Sequence, residues 1–241
     1  MEGIHFEISP QPDDETCGPT CLHAVYRHFE GETLSLEEVI HECDSLQEGG
    51  TLASLLGAHA LRRGYDATIY SFNLNVFDPS WFRNESISLV EKLYAQIDAK
   101  PGDKLRIASE AYIEFLKLGG RIRMEDLTRR LIRSYLARSL PILVGLSATY
   151  LYQAPREVAP KWDPDDVCGL PAGHFVVLCG YDQLNKEVRI ADPYLPNPFA
   201  PRENYYSIDV DRVVCAILLG IVTYDANLLI LRPSKSRRNE D

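Results

Sequence analysis

Two short runs late in the chain, His174 to Tyr181 and Glu187 to Ala191, leave little freedom in how it folds. The first is a near-continuous apolar run and reads as a strand; the second returns after a turn at Gln183 to Lys186. Paired antiparallel, they form a hairpin that puts His174 opposite the region of Asp192. Cross-strand neighbours approach within about 5 Å. Asp182 sits at the other end of the hairpin, roughly 26 Å from His174 over eight steps of about 3.3 Å. A carboxylate that orients the His174 ring can therefore be Asp192 and cannot be Asp182. Asp192-Pro193 also reads as a turn initiator, and one residue can serve both purposes.

The rest of the chain supplies the partners of this hairpin. Ile4 to Ile8 alternates like a short edge strand, ended by Ser9-Pro10. Thr16 to Phe29 is a turn and a first helix, broken at Gly31. Ser35, with Glu38 three residues on, is a capping box for a helix through Cys43. Glu48-Gly49-Gly50-Thr51 is a turn and helix start, followed by a helix to Arg63 and a strand from Asp66 to Phe72. Asn73 to Arg83 is irregular. Helices follow over Ser86 to Ala99, Lys104 to Leu118 and Met124 to Ser139, the last with Asp126 in its first turn. Pro141 to Ser147 is a buried strand, Ala148 to Ala172 a long loop, and Asp192 to Arg202 proline-rich. Tyr205 to Ile208 is a short strand, Asp209 caps a helix toward Leu219, and Asn227 to Leu231 is a last strand. Helices come first and strands cluster late, which predicts an α+β fold.

With 241 residues and a hydrophobic fraction of 45%, the chain is long enough for one large domain with a real core. Its net charge of −10 argues against nucleic acid and anionic membrane as partners. The basic cluster Lys235 to Arg238 reads as a solvated tail. The start of the sequence lacks the basic and apolar regions of a signal peptide, and the longest apolar run, Val213 to Val222, is too short to span a bilayer. Six cysteines, at 17, 21, 43, 168, 179 and 215, form no dense framework; Cys179 and Cys215 read as small core residues. These features predict a soluble, cytoplasmic protein.

Chemistry concentrates in Gln11 to Leu22. Cys17 follows an acidic, turn-rich approach, and Gly18-Pro19 precede an apolar helical run. A cysteine at a helix start meets unpaired N–H groups and the positive end of the dipole, which favour a thiolate; the same position also suits a plain buried cysteine. A cysteine nucleophile needs a base and a group that orients the base. His174 is the base candidate, because His23 and His28 lie along the helix of Cys17, His41 and His59 sit on amphipathic helices, and His5 lies on the edge strand. Asp192 is the orienting candidate. Acyl transfer also needs donors for an oxyanion, and the Gln11 side chain with the Cys17 N–H can supply them, although Gln11 reads equally as an exposed loop residue. The cysteine spacing lacks a second close ligand pair, so no metal and no cofactor are expected.

Gln11, Cys17-Gly18-Pro19-Thr20-Cys21-Leu22, Gly173-His174-Phe175-Val176-Val177-Leu178 through Gly180-Tyr181-Asp182, and Ala191-Asp192-Pro193 together resemble the C39-like cysteine peptidase family. The resemblance implies a papain-like fold: an N-terminal helical part packed on a C-terminal antiparallel sheet, with residues 1–241 as a single domain. The sequence departs from the family at about 73–138, which is longer and more helical than a bare peptidase domain requires and reads as a helical insertion. It implies a Cys17, His174, Asp192 triad with Gln11 lining the oxyanion hole, and a peptide or protein substrate. The family includes proteases that cut leader peptides after a double glycine. This sequence shows no membrane segment or nucleotide-binding motif of a fused exporter, and Gly49-Gly50 reads as a helix start and not a self-cleavage site. A papain-like acyltransferase or peptide ligase is the alternative reading, and a non-catalytic peptide-binding module a third. Trp81 and the Ala148 to Ala172 loop are candidate cleft walls, with Tyr150, Tyr152 and Trp162 as candidate substrate contacts.

Overall fold

The computed structural model describes residues 2–46, 50–84, 86–159 and 161–234. In chain order it contains β1 (Glu2–Gly3), α1 (Cys17–Glu30), α2 (Leu36–Glu42), α3 (Ala53–Arg62), β2 (Tyr65–Ser71), α4 (Leu89–Ala99), α5 (Asp103–Lys117), β3 (Arg121–Arg123) and α6 (Arg129–Leu136). There follow β4 (Ile142–Ser147), α7 (Ala148–Tyr152), β5 (Glu157–Val158), β6 (Asp163–Pro164), β7 (Gly173–Asp182), β8 (Glu187–Ala191), β9 (Tyr205–Asp209), α8 (Val210–Leu219) and β10 (Asn227–Pro233). One sheet runs β3-β2-β10-β4-β7-β8-β9, with β1 paired to the far end of β7. Its ladders are antiparallel except for β2 with β3, and β2 comes from the N-terminal half of the chain. The architecture is α+β.

The apolar runs are nearly continuous because both faces of the sheet are covered. Phe175, Val177 and Cys179 of β7 face one core with Leu229 and Leu231 of β10, Leu22 of α1, Leu56 of α3 and Phe115 of α5. Val176 and Leu178 face a second core with Leu228 and Ile230, Ile132 of α6, and Val213 and Ile217 of α8. The period-2 alternation along each strand assigns these residues to their faces.

Several elements differ from the sequence expectation. The strand expected at Ile4 to Ile8 forms earlier, as β1. The Ile8 N–H donates to the Tyr205 hydroxyl at 3.0 Å, and that hydroxyl donates to the Phe6 carbonyl at 2.9 Å, so a side chain takes the place of a ladder. The helix expected over Met124 to Ser139 shrinks to α6, because the Thr128 hydroxyl accepts from the Leu131 N–H and sets the N-cap there, leaving Asp126 outside the first turn. The loop from Ala148 to Ala172 contains α7 and the β5–β6 ribbon. Cys215 is exposed, since the side chains of α8 that meet the sheet are Val213, Ala216 and Ile217. Lys235 to Arg238, and Glu48 and Gly49 of the expected turn, lie outside the described residues.

One close approach positions the start of α1. A Cβ on Gly18 would fall 2.4 Å from Thr51 Cγ2, 3.2 Å from Leu56 Cδ1 and 3.3 Å from Phe175 Cδ2. Only glycine lets the helix end seat this deeply against β7 and the approach to α3. Gly18→Ala is expected to lower stability by about 1–3 kcal/mol through overpacking, measured by chemical denaturation.

Candidate active site

Cys17 is the first residue of α1 and is half-buried. Thr16, at the N-cap, makes no side-chain cap, and the first turn carries no acidic residue. Its first N–H groups are therefore not taken by a capping side chain, and the dipole end is open to a negative charge. One turn on, the Cys21 thiol donates to the Phe175 carbonyl at 3.3 Å, which fastens α1 to β7 one residue beyond His174. Burial pushes the Cys21 thiol well up, so it stays protonated and inert.

The hairpin delivers His174 and Asp192 as its ends. Val177 pairs with Ala191, which sets Asp192 level with Val176, and His174 lies two residues along on the same face. His174 Nε2 and Asp192 Oδ1 are 2.9 Å apart. The Cys17 side chain lies close enough to the ring to help hold its proton. With Nε2 bound to the carboxylate, Nδ1 is the nitrogen left for the sulfur. Asp182 pairs with Glu187 at the opposite end, where its carboxylate accepts from Leu184 and Asn185.

Asp192 is fully buried, yet each of its oxygens has two donors. Oδ1 accepts from His174 and from the Tyr194 N–H at 3.0 Å; Oδ2 accepts from the hydroxyls of Tyr152 at 2.6 Å and Tyr206 at 2.7 Å. Burial works to raise its pKa, but the charge and hydrogen bond of His174 and the two tyrosine hydroxyls hold it below the ordinary carboxylate range. Burial likewise opposes charge on His174. The Asp192 carboxylate, by charge and hydrogen bond, and then the Cys17 side chain hold that pKa up at about 10. The rings of Tyr152 and Tyr194 stand 6.1 and 6.2 Å from the imidazole, and Phe199 closes the enclosure beside Tyr152 and Tyr206.

Gln11 is brought to the same corner by its backbone, whose N–H donates to the Pro193 carbonyl at 2.8 Å. Its side-chain amide donates one N–H to the Asp13 carbonyl at 2.7 Å, while Oε1 is buried without a partner. The second N–H of the amide is not committed to Asp13.

Several solved structures of cysteine peptidases align with the chain. A C39-like peptidase from Bacillus anthracis aligns with a TM-score of 0.47 at 13% identity, over 96% of this chain and 98% of the other. The double glycine motif protease of an AMS/PCAT transporter, in complex with its leader peptide, aligns with a TM-score of 0.45 at 14% identity, over 96% and 94%. Xylellain, a cysteine protease from Xylella fastidiosa, aligns at 0.42 and 12% identity, over 97% and 85%. No protein-family profile and no curated protein matches the chain.

Three residues at this corner escaped the sequence reading. Tyr152 was expected to face substrate but is half-buried and donates to Asp192. Tyr206 lies on β9, where strand alternation predicts burial but not its partner. Asp225, in the loop before β10, packs against the Cα of Gly173, where a Cβ would come within 2.1 Å of its Oδ2. Burial pushes its pKa up to about 7, against the Thr223 hydroxyl and the charge of His174. Tyr150 and Trp162 are exposed, as substrate contacts would have to be, whereas Trp81 packs half-buried against the first core. Among the described residues no helix is long and apolar enough to cross a membrane, and no group of three His, Cys, Asp or Glu side chains is placed to hold a metal.

The pair has a defined pH window. The raised pKa of His174 contributes stability that is complete below its ordinary value of 6.5 and lost as pH climbs to about 10. The lowered pKa of Asp192 contributes stability present above its ordinary 3.8 and lost as pH falls through the folded value. Asp192→Asn removes the anion and leaves burial opposed by the Cys17 side chain alone, so the His174 ring is expected to titrate well below about 10; a ring-nitrogen NMR titration of both proteins measures this.

Proposed function

We propose that the protein is a cysteine peptidase that hydrolyses peptide bonds with Cys17 as nucleophile, His174 as base and acid, Asp192 as orienting anion, and Gln11 with the Cys17 N–H as oxyanion donors. The single observation that carries this reading is Cys17, at an uncapped helix start, set beside a His174 ring that is paired at 2.9 Å with the buried Asp192 carboxylate.

The sequence of events follows from the roles. Cys17 passes its proton to His174 Nδ1, and the sulfur adds to the carbonyl carbon of the substrate. The carbonyl oxygen becomes an oxyanion, held by the Cys17 N–H and the free N–H of the Gln11 amide. The carbon–nitrogen bond then breaks as His174 gives its proton to the leaving amine, leaving a thioester on Cys17. Water, deprotonated by His174, attacks the thioester and releases the acid and the thiol. Throughout, Asp192 stays ionised and holds the ring in one orientation. The segment 73–138, which supplies α5 beside α3 and α4 beside α5, is the added part of a single domain in this reading.

A peptide bearing a thiol-reactive electrophile should label Cys17, identified by mass spectrometry. Cys17→Ala should lose both labelling and hydrolysis, the latter by at least about a thousandfold. Comparing peptides released by the active protein and by Cys17→Ala from a proteome-derived library identifies the substrate class. Added amines in the same assay separate transfer from hydrolysis. Labelling by the peptide electrophile that is unchanged in His174→Ala would count against the triad.

A further inference from the structure

A buried carboxylate can orient a base only if it stays ionised and cannot turn. Asp192 is completely inaccessible, and an unpaired carboxylate there would take up a proton. The groups facing it come from several elements: His174 from β7, Tyr152 from α7, Tyr206 from β9, the Tyr194 N–H from its own loop, and Cys21 from α1, whose thiol senses its charge; Cys17 of α1 faces His174. The loop itself is anchored by Asn204, whose side chain donates to the Asp192 carbonyl at 2.6 Å and whose carbonyl accepts the Asp192 N–H at 2.7 Å.

We propose that Tyr152 and Tyr206 are positioning residues, whose two hydroxyls on Oδ2 keep Asp192 ionised and turned so that Oδ1 faces His174. A carboxylate only accepts, and each phenol has one proton, so both protons point at Oδ2. The two hydroxyls, one from α7 and one from β9, meet on a single oxygen and make a compact clamp. Burial, and then the charge of Asp192, keeps both phenols protonated, so the donors persist through the working pH range. The consequence for chemistry rests on the peptidase reading; the consequence for Asp192 does not.

The experiment has two readouts. In the first, the Asp192 side-chain carbon of the intact protein is titrated by NMR. Tyr152→Phe and Tyr206→Phe should each raise the midpoint by about one pH unit, a tenfold gain in proton affinity, because a hydrogen bond to a charged group is removed. In the second, the acid limb of kcat/KM for peptide hydrolysis should rise by the same amount in each variant. A purely structural role would lower thermal stability and leave both the carboxyl midpoint and the acid limb in place, and that result would overturn the proposal. Should a phenylalanine variant fail to fold, fluorotyrosine at 152 or 206 keeps the shape and strengthens the donor. It should lower the midpoint, and an unmoved midpoint overturns the proposal equally. Absence of hydrolysis by the unaltered protein defeats the peptidase reading, while the carboxyl titration still decides the clamp.

Discussion

The ion pair of His174 and Asp192 is the interaction on which the rest of this corner depends. Two charges taken out of water cost several kcal/mol each, and their attraction offsets that only when the remaining lone pairs are satisfied. Here every acceptor position of Asp192 is used, by donors from β7, α7, β9 and the 192–204 loop. The pair therefore fastens together elements distant in sequence, and its geometry is set by packing on both faces of the sheet. Removing one partner would leave a buried charge unpaired, which typically costs about 3–5 kcal/mol.

What the pair holds in place is the other half of the chemistry. Helix α1 lies on the opposite sheet face from Val176 and Leu178, and it reaches the His174 ring because its first residue, Cys17, projects at the strand end where β7 begins. Gly18 permits that seat, and the Cys21 thiol fixes it to the Phe175 carbonyl. The Gln11 N–H then ties the approach to α1 onto Pro193, beside Asp192. Three remote stretches of sequence thus converge, and each is held by its own backbone or core contact.

The parts that could be read in the sequence are those specified by short-range rules. The hairpin arithmetic separates Asp192 from Asp182 without any knowledge of the rest of the fold. The capping box at Ser35 and Glu38 forms with both of its hydrogen bonds. The helix start at Cys17 follows from the turn before it and the apolar run after it. What could not be read depends on long-range assembly. The partner of Tyr206 depends on β8 pairing with β9 and on where α7 packs. Asp225 reaches Gly173 only because β10 inserts between β2 and β4. β3 is too short to carry a period, and the start of α6 is decided by one hydroxyl at Thr128, not by the helical propensity that extends before it.

Whether Cys17 and His174 act as one unit is tested, without knowledge of the substrate, by comparing cysteine reactivities within the protein. Cys168 and Cys215 are exposed, whereas Cys17 is half-buried. Exposure alone would make the first two react faster with iodoacetamide, and a thiol whose proton is taken by a neighbouring imidazole reverses that order at acid pH, because the thiolate is the nucleophile. Mass spectrometry of each alkylated cysteine over time at pH 6 is predicted to find Cys17 modified first in the unaltered protein and to find that lead lost in His174→Ala. Modification that simply follows exposure in both proteins would contradict the account.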